Sequence, residues 1–159
     1  MTVTIAATYK VRLGEPDHAD LGASTGTINL NTDTIKARLL MTTNDAETDL
    51  AATSTVVTGD ITTLAEFDGS NYTANGELIA IDTAAYNAGA TRYEWKASSD
   101  TVFSNLGDDA SNNVGGVLIN RDVSFEVISF HTGGFPKVIP VGGADLRIVW
   151  ATDGILAIG

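Results

Sequence analysis

The chain has 159 residues, with 9 Lys and Arg against 20 Asp and Glu and a net charge of −11. A field of that sign repels phosphate, which disfavours sequence-independent binding to nucleic acid or to an anionic membrane surface. The absence of cysteine removes disulfides, thiolate metal sites and cysteine nucleophiles together.

The amino end, Met1 to Lys10, has no basic segment ahead of an apolar block, so it does not read as a signal peptide. Val3 and Ile5 alternate with Thr2 and Thr4, the period of an extended arm that can add to a neighbour as an edge strand. A first strand at Val11 to Leu13 leads into a loop, Gly14 to Gly22. From Gly26 to Met41, Ile28 and Leu30 alternate with polar residues, Asn31-Thr-Asp33-Thr supplies turn chemistry, and Ile35, Ala37 and Leu39 alternate again. That pattern predicts a hairpin. Residues 42–55 read as a loop or a short helical turn. Asp60 to Phe67 is the predicted helix: Asp60 caps, Ile61, Leu64, Ala65 and Phe67 share a side, and Asp68-Gly69 stops it.

Glycines frame Gly69 to Gly76, which opens a predicted strand at Glu77 to Asp82, followed by a loop over residues 83–90. Thr91 to Lys96 reads as a strand with Tyr93 and Trp95 inward. Asp100 to Leu106 is extended or a turn, and Gly107 to Gly116 a polar loop. Strands follow at Val117 to Arg121 and at Val123 to Phe130, the latter placing Phe125, Val127 and Ser129 on one face. Val138-Ile139 and Asp145 to Trp150 come next, with Leu146, Ile148 and Trp150 sharing a core-facing side. A turn at Thr152 to Gly154 precedes a last strand at Ile155 to Ile158. Short strands between Gly, Asn and Asp turns predict a mainly β chain: an antiparallel β-sandwich or barrel with one short α-helix. Residues 1–25 form an N-terminal arm with the first strand and loop, and residues 26–159 a single β domain.

Candidate chemistry is sparse. Asp17-His18-Ala19-Asp20 has the letters of a metal site, but the second histidine, His131, is far away in sequence and the reading is a solvated loop. Asn29-Leu-Asn31-Thr-Asp33 lacks the glycine and distal glutamate of an EF-hand loop. Asp108-Asp109 could hold calcium only with help from backbone carbonyls. No Gly-x-Ser-x-Gly elbow accompanies the Ser, His and Asp residues. Gly133-Gly134-Phe-Pro and Gly142-Gly143 lack the helix and lysine of a phosphate loop. Two carboxylates for glycoside hydrolysis are always available among twenty acids, but Tyr93, Trp95, Phe125 and Trp150 read as packing rather than sugar platforms. The expected catalytic, cofactor-binding and metal residues are therefore none, and the expected partner contacts are Val3 and Ile5.

The order of these segments resembles a family of small bacteriophage and prophage virion structural proteins. The matching pieces are Gly26 to Leu39, Asp60 to Gly69, Gly69-Ser-Asn-Tyr72-Thr-Ala-Asn-Gly76, Tyr93-Glu-Trp95, Gly142-Gly-Ala-Asp145 and Trp150-Ala-Thr-Asp153-Gly154-Ile155. The region before Gly26 and the predicted loop at residues 83–90 depart from the pattern. The resemblance implies a non-enzymatic virion component without cofactors. The expectation is a capsid decoration, or cement, protein on the outer capsid surface. It would bridge and stabilise major capsid protein subunits as a homo-oligomer, with a trimer favoured by capsid three-fold axes. The alternatives are a receptor- or carbohydrate-binding module of a head or tail fibre, and a tail or neck component.

Overall fold

The computed structural model describes residues 3–5, 32–51, 57–89, 92–107, 113–123, 125–151 and 155–158. Its strands, in chain order, are β1 (Val3–Ile5), β2 (Ile35–Met41), β3 (Glu77–Leu78), β4 (Ile81–Asn87), β5 (Arg92–Ala97) and β6 (Thr101–Leu106). They continue with β7 (Asn113–Arg121), β8 (Val127–His131), β9 (Lys137–Val138), β10 (Ala144–Ile148) and β11 (Leu156–Ile158). The main sheet runs β1-β8-β7-β2-β3, with β9 continuing beside β7, and it curls into a half-barrel. Two smaller sheets, β10-β6 and β11-β5-β4, accompany it. Every described strand pairing is antiparallel, so the chain is mainly β, in the sandwich or barrel class read from its sequence.

β2 occupies the centre because its apolar residues lie on both faces. Ile35, Ala37 and Leu39 on one side and Leu40 on the other are buried. One edge of β2 pairs with β7 from Ile35↔Arg121 to Met41↔Val114. The other edge is filled from residues 65–79: Met41 N–H donates to the Ala65 carbonyl (2.7 Å), Phe67 N–H to Leu39 (2.9 Å) and Ile79 N–H to Ile35 (2.9 Å). β3 pairs there too, at Lys36 and Ala37. The predicted hairpin between residues 26–31 and 35–41 is therefore corrected: both edges of β2 are already taken by distant segments. Its proposed first arm lies outside the described residues.

The helix expected at Asp60 to Phe67 is not formed. A 3-10 turn covers Thr58–Asp60, with Asp60 accepting from the Val57 N–H at 2.9 Å, and Ile61 is already extended. A nucleus of one or two turns is marginal by itself, whereas extension lets Ala65, Glu66 and Phe67 bond to β2. The α-helix of the described residues is α1 (Ala46–Asp49), inside the segment read as loop or helical turn. The Asn44 side chain accepts from the Ala46 N–H (3.0 Å), Glu47 and Asp49 complement the first turn, and Ala46 and Leu50 anchor it in the core.

Further boundaries move for similar reasons. The loop expected at residues 83–90 is largely β4, paired with β5 from Ile81↔Ala97 to Asn87↔Arg92. The polar loop expected through Gly116 ends earlier, because Asn113 to Gly116 belong to β7. Gly116 faces Leu40 across the β2–β7 pair, and a Cβ there would collide with the Phe130 ring and lie 2.8 Å from the His131 carbonyl oxygen. At Gly76, with φ +81°, a side chain is also excluded, since a Cβ would strike the Ala37 carbonyl. The predicted first strand, Val11 to Leu13, lies outside the described residues.

The core gathers Ile35, Leu39, Leu40, Trp95, Phe103, Leu118, Phe130 and Trp150 into one cluster. Trp95 and Trp150 are both packing residues, as expected, and Leu146 packs partly buried against the cluster. The Trp150 indole N–H donates to Thr101 Oγ1 at 3.1 Å, joining the end of β10 to β6. Replacing Trp150 by alanine should cost about 3–5 kcal/mol through the cavity it leaves. Urea denaturation checks this through a lowered midpoint at an unchanged slope.

Candidate functional site

Side chains directly opposite one another in antiparallel strands share a face, so register sorts the buried polar groups into two sets. The row Arg38, Leu118 and Phe130 lies on one face of the main sheet. The rows Leu39, Val117, His131 and Ala37, Ile119, Ser129 lie on the other.

On the first face, Arg38 is only 3% exposed. One guanidinium nitrogen, Nη1, reaches Glu66 Oε2 at 3.4 Å, and the group lies over the Phe125 ring at 4.8 Å from its centroid. The other Glu66 oxygen, Oε1, accepts from the Tyr72 hydroxyl and the Asn75 N–H, both at 2.7 Å. Tyr72 in turn accepts from the Leu39 N–H at 3.2 Å. Its ring stacks on Phe103 and meets Phe67 edge-on. Burial first, then the hydrogen bond to Glu66 and that carboxylate's charge, hold the phenol far above its ordinary pKa. Tyr72 thus remains a neutral donor, and the set clamps residues 66–79 to β2. Its chemistry is structural.

Phe125 departs from its expected place. Alternation from Val123 to Phe130 puts it on one face with Val127 and Ser129, but β8 begins at Val127. Phe125 has a positive φ of 56° in the preceding turn, where its carbonyl accepts from the Thr58 N–H at 3.0 Å. Nearby, Arg121 bridges Asp33 (3.2 Å) and Glu126 (2.8 Å), and Lys36 pairs with Asp122 (2.9 Å). Asp33, read as part of an oxygen-rich turn, is therefore an ion-pair partner.

On the second face, Ser129 Oγ lies 2.9 Å from His131 Nε2, both residues are buried, and the His131 ring meets Trp150 edge-on at 6.0 Å. A serine nucleophile needs substrate access and a third group orienting the base. Ser129 has no exposed surface, and His131 Nδ1 has no hydrogen-bond partner. Beside His131 lies an open cavity of about 120 Å³, walled by Val117, Gly133-Gly134, Phe135, Leu146 and Ile148. Lys137, Arg147 and Val149 also line it. The turn Thr132 to Phe135 forms one wall, closed by a Phe135 N–H bond to the Thr132 carbonyl (3.1 Å) with Gly134 at φ +85°. Gly133-Gly134 is thus a cavity wall, while Gly142-Gly143 turns the chain between β9 and β10.

Val3 and Ile5, the expected partner contacts, belong to β1, which pairs with Ser129–His131 of the same chain. Among the described residues β1 is the last strand on that side of the sheet, so only its outer edge is left for a neighbour. Asp17 to Asp20 and Asp108-Asp109 lie outside the described residues. Among the described residues no three His, Asp or Glu groups converge to hold a metal ion. The Ser129–His131 pair was missed in the sequence, although Ser-x-His within a strand places both side chains on one face. Alternation puts Arg38 and Leu40 on the face opposite Ile35, Ala37 and Leu39, and Leu40 alone signals that this second face is covered as well.

No family model, curated protein or solved structure matches this chain.

Tyr72→Phe should cost about 1–3 kcal/mol, because it strips the Leu39 N–H and Glu66 of a partner while keeping the ring. Chemical denaturation with unchanged far-UV circular dichroism checks it. Burial pushes the His131 imidazole down to about 4 from an ordinary 6.5. Between those values the unfolded chain binds the extra proton, so stability is full above about 6.5 and falls as pH drops toward 4. Going from pH 7 to pH 5 should cost about 2 kcal/mol through this group. The variant His131→Gln, compared by urea denaturation at both values, should lack that part of the loss.

Proposed function

We propose that this chain is a non-enzymatic structural protein of a bacteriophage virion, a decoration protein that bridges major capsid protein subunits on the outer shell. The observation that carries the reading is where aliphatic surface has been left outside. Among the described residues Val138, Val141 and Val149, 65%, 76% and 67% exposed, fall together from β9 to the residue after β10, while exposed Leu78 and Val123 lie elsewhere in the chain, whose net charge is −11. Such valines gain most from burial against another protein. The charge suits a position away from packaged nucleic acid, since an inner lining would face like-charged phosphate. The order of the motifs from Gly26 to Ile155 supports the virion context. The buried Arg38, Glu66, Tyr72, Ser129 and His131 hold strands together, which suits a scaffold.

Attachment at repeated sites compensates for modest contacts per copy, because a second engagement occurs at high effective concentration. A homo-oligomer, with a trimer matching a capsid three-fold axis, supplies that repetition. Purified particles should carry this protein in shell-scale copy number. Particles stripped of it should burst at lower temperature or milder osmotic shock, and recover on adding it back. Particles that survive equally well without it, or protein found only in the tail fraction, would contradict the proposal.

A further inference from the structure

The cavity beside His131 joins space, unpaired polar groups and exposed apolar surface in one place. Its volume of about 120 Å³ compares with the roughly 150 Å³ apolar cavity that accepts benzene, a fit for one branched aliphatic side chain. Phe135, Leu146 and Ile148 offer that side chain apolar contact. Gly134 presents no side chain, and a Cβ built on it would meet nothing within 4 Å, so this wall is open.

The charge at the mouth runs against the rest of the chain. Lys36, Arg38, Lys96, Arg121 and Arg147 each pair with an acid. Lys137 makes no ion pair among the described residues, and the Arg147 contact with Asp100 is long, at 3.5 Å. A cationic rim on an acidic protein selects a carboxylate and repels other copies' acidic surfaces less than the remaining faces do. His131, 2% exposed, lines the same cavity with Nδ1 unpartnered. Exposed Val149 lines it too, and Val138 and Val141 lie on the connection from Lys137 to β10. An apolar anchor pocket bordered by charged groups is the anatomy of an interface hot spot.

We propose that this cavity is the anchor pocket of a protein-docking surface, and that it receives a branched aliphatic side chain flanked by a carboxylate on the partner. The proposal rests on the attachment reading above and assigns that attachment a place. The aliphatic group enters between Phe135 and Leu146, the carboxylate meets Lys137 and Arg147, and Val138, Val141 and Val149 are covered by the surrounding partner surface.

The test uses the full chain and N-acetyl-L-leucine, which carries the isobutyl group and a carboxylate, against its neutral amide, N-acetyl-L-leucinamide. In two-dimensional amide NMR, the acid should shift Gly133, Gly134, Lys137 and Val149 saturably, and the amide should bind several-fold more weakly. Val149→Trp, filling the mouth, and Lys137→Glu, reversing the rim, alter exposed residues and should each weaken acid binding about tenfold. Absence of saturable shifts at these amides overturns the pocket, as does equal binding of acid and amide or unchanged binding in Val149→Trp. On particles, both variants should lower occupancy. If wild-type protein occupies the shell and Val149→Trp does so equally, the docking surface is wrong while the decoration reading stands. If the pocket binds as described but wild-type protein is not on the shell, the decoration reading fails instead.

Discussion

Everything in this fold is arranged around one strand with no free side. β2 is hydrogen-bonded along one edge to β7 and along the other to residues 65–79, and it is buried on both faces. Register is then rigidly specified: a slip of one residue would exchange Arg38 with Leu39 and break both hydrogen-bonded edges at once. Gly76 and Gly116, where a Cβ would collide, sit on opposite edges of this strand and let its neighbours come close. The clamp from Tyr72 to Glu66 and the Leu39 N–H makes the same point in polar currency, since it fastens the outer segment to β2 without adding a long strand.

Burial on both faces also explains the polar groups in the interior. Arg38 and His131 occupy positions that strand alternation dictates, and each finds one polar partner, Glu66 at 3.4 Å or Ser129 at 2.9 Å. Each also keeps nitrogen without one: two atoms, Nε and Nη2, in Arg38 and one, Nδ1, in His131. Imperfectly satisfied buried polar groups cost stability and mark places where a core is arranged for more than packing. The difference between the two sites is access. Arg38 is capped by Phe125, whereas His131 borders an open cavity, and the exposed valines lie in the chain segment that lines its mouth. The apolar, cationic-rimmed patch beside this cavity is the feature on which the proposed attachment role rests.

The sequence was most legible where one strand carried one clear alternation. Arg92–Ala97, with Trp95 inward, and Ala144–Ile148, leading to Trp150, emerged close to their observed positions because large apolar residues alternate with polar ones in each. The reading failed where a long-range partner overrode a local preference. Residues 61–67 have a helix's apolar spacing, but residues 65–67 bond along β2, and residues 35–41 have a hairpin's pattern but pair with β7 and β3. Asn113 to Gly116 looked like loop because glycine and asparagine dominate, yet those glycines are what lets β7 pass close to Thr42 and Phe130. The candidate site was less legible still. Ser129 and His131 share a face by spacing alone, but the cavity beside them is assembled from the β8–β9 turn and β10, and no local pattern announces that meeting.

The most direct measurement of the account is cryo-electron microscopy of intact particles, at a resolution that orients the domain. The account predicts density on the outer shell across boundaries between capsid subunits, with the segment from Lys137 to Val149 turned toward the shell and the acidic surface toward solvent. Density at the tail or neck, inside the shell, or on the shell with that segment facing solvent would contradict it.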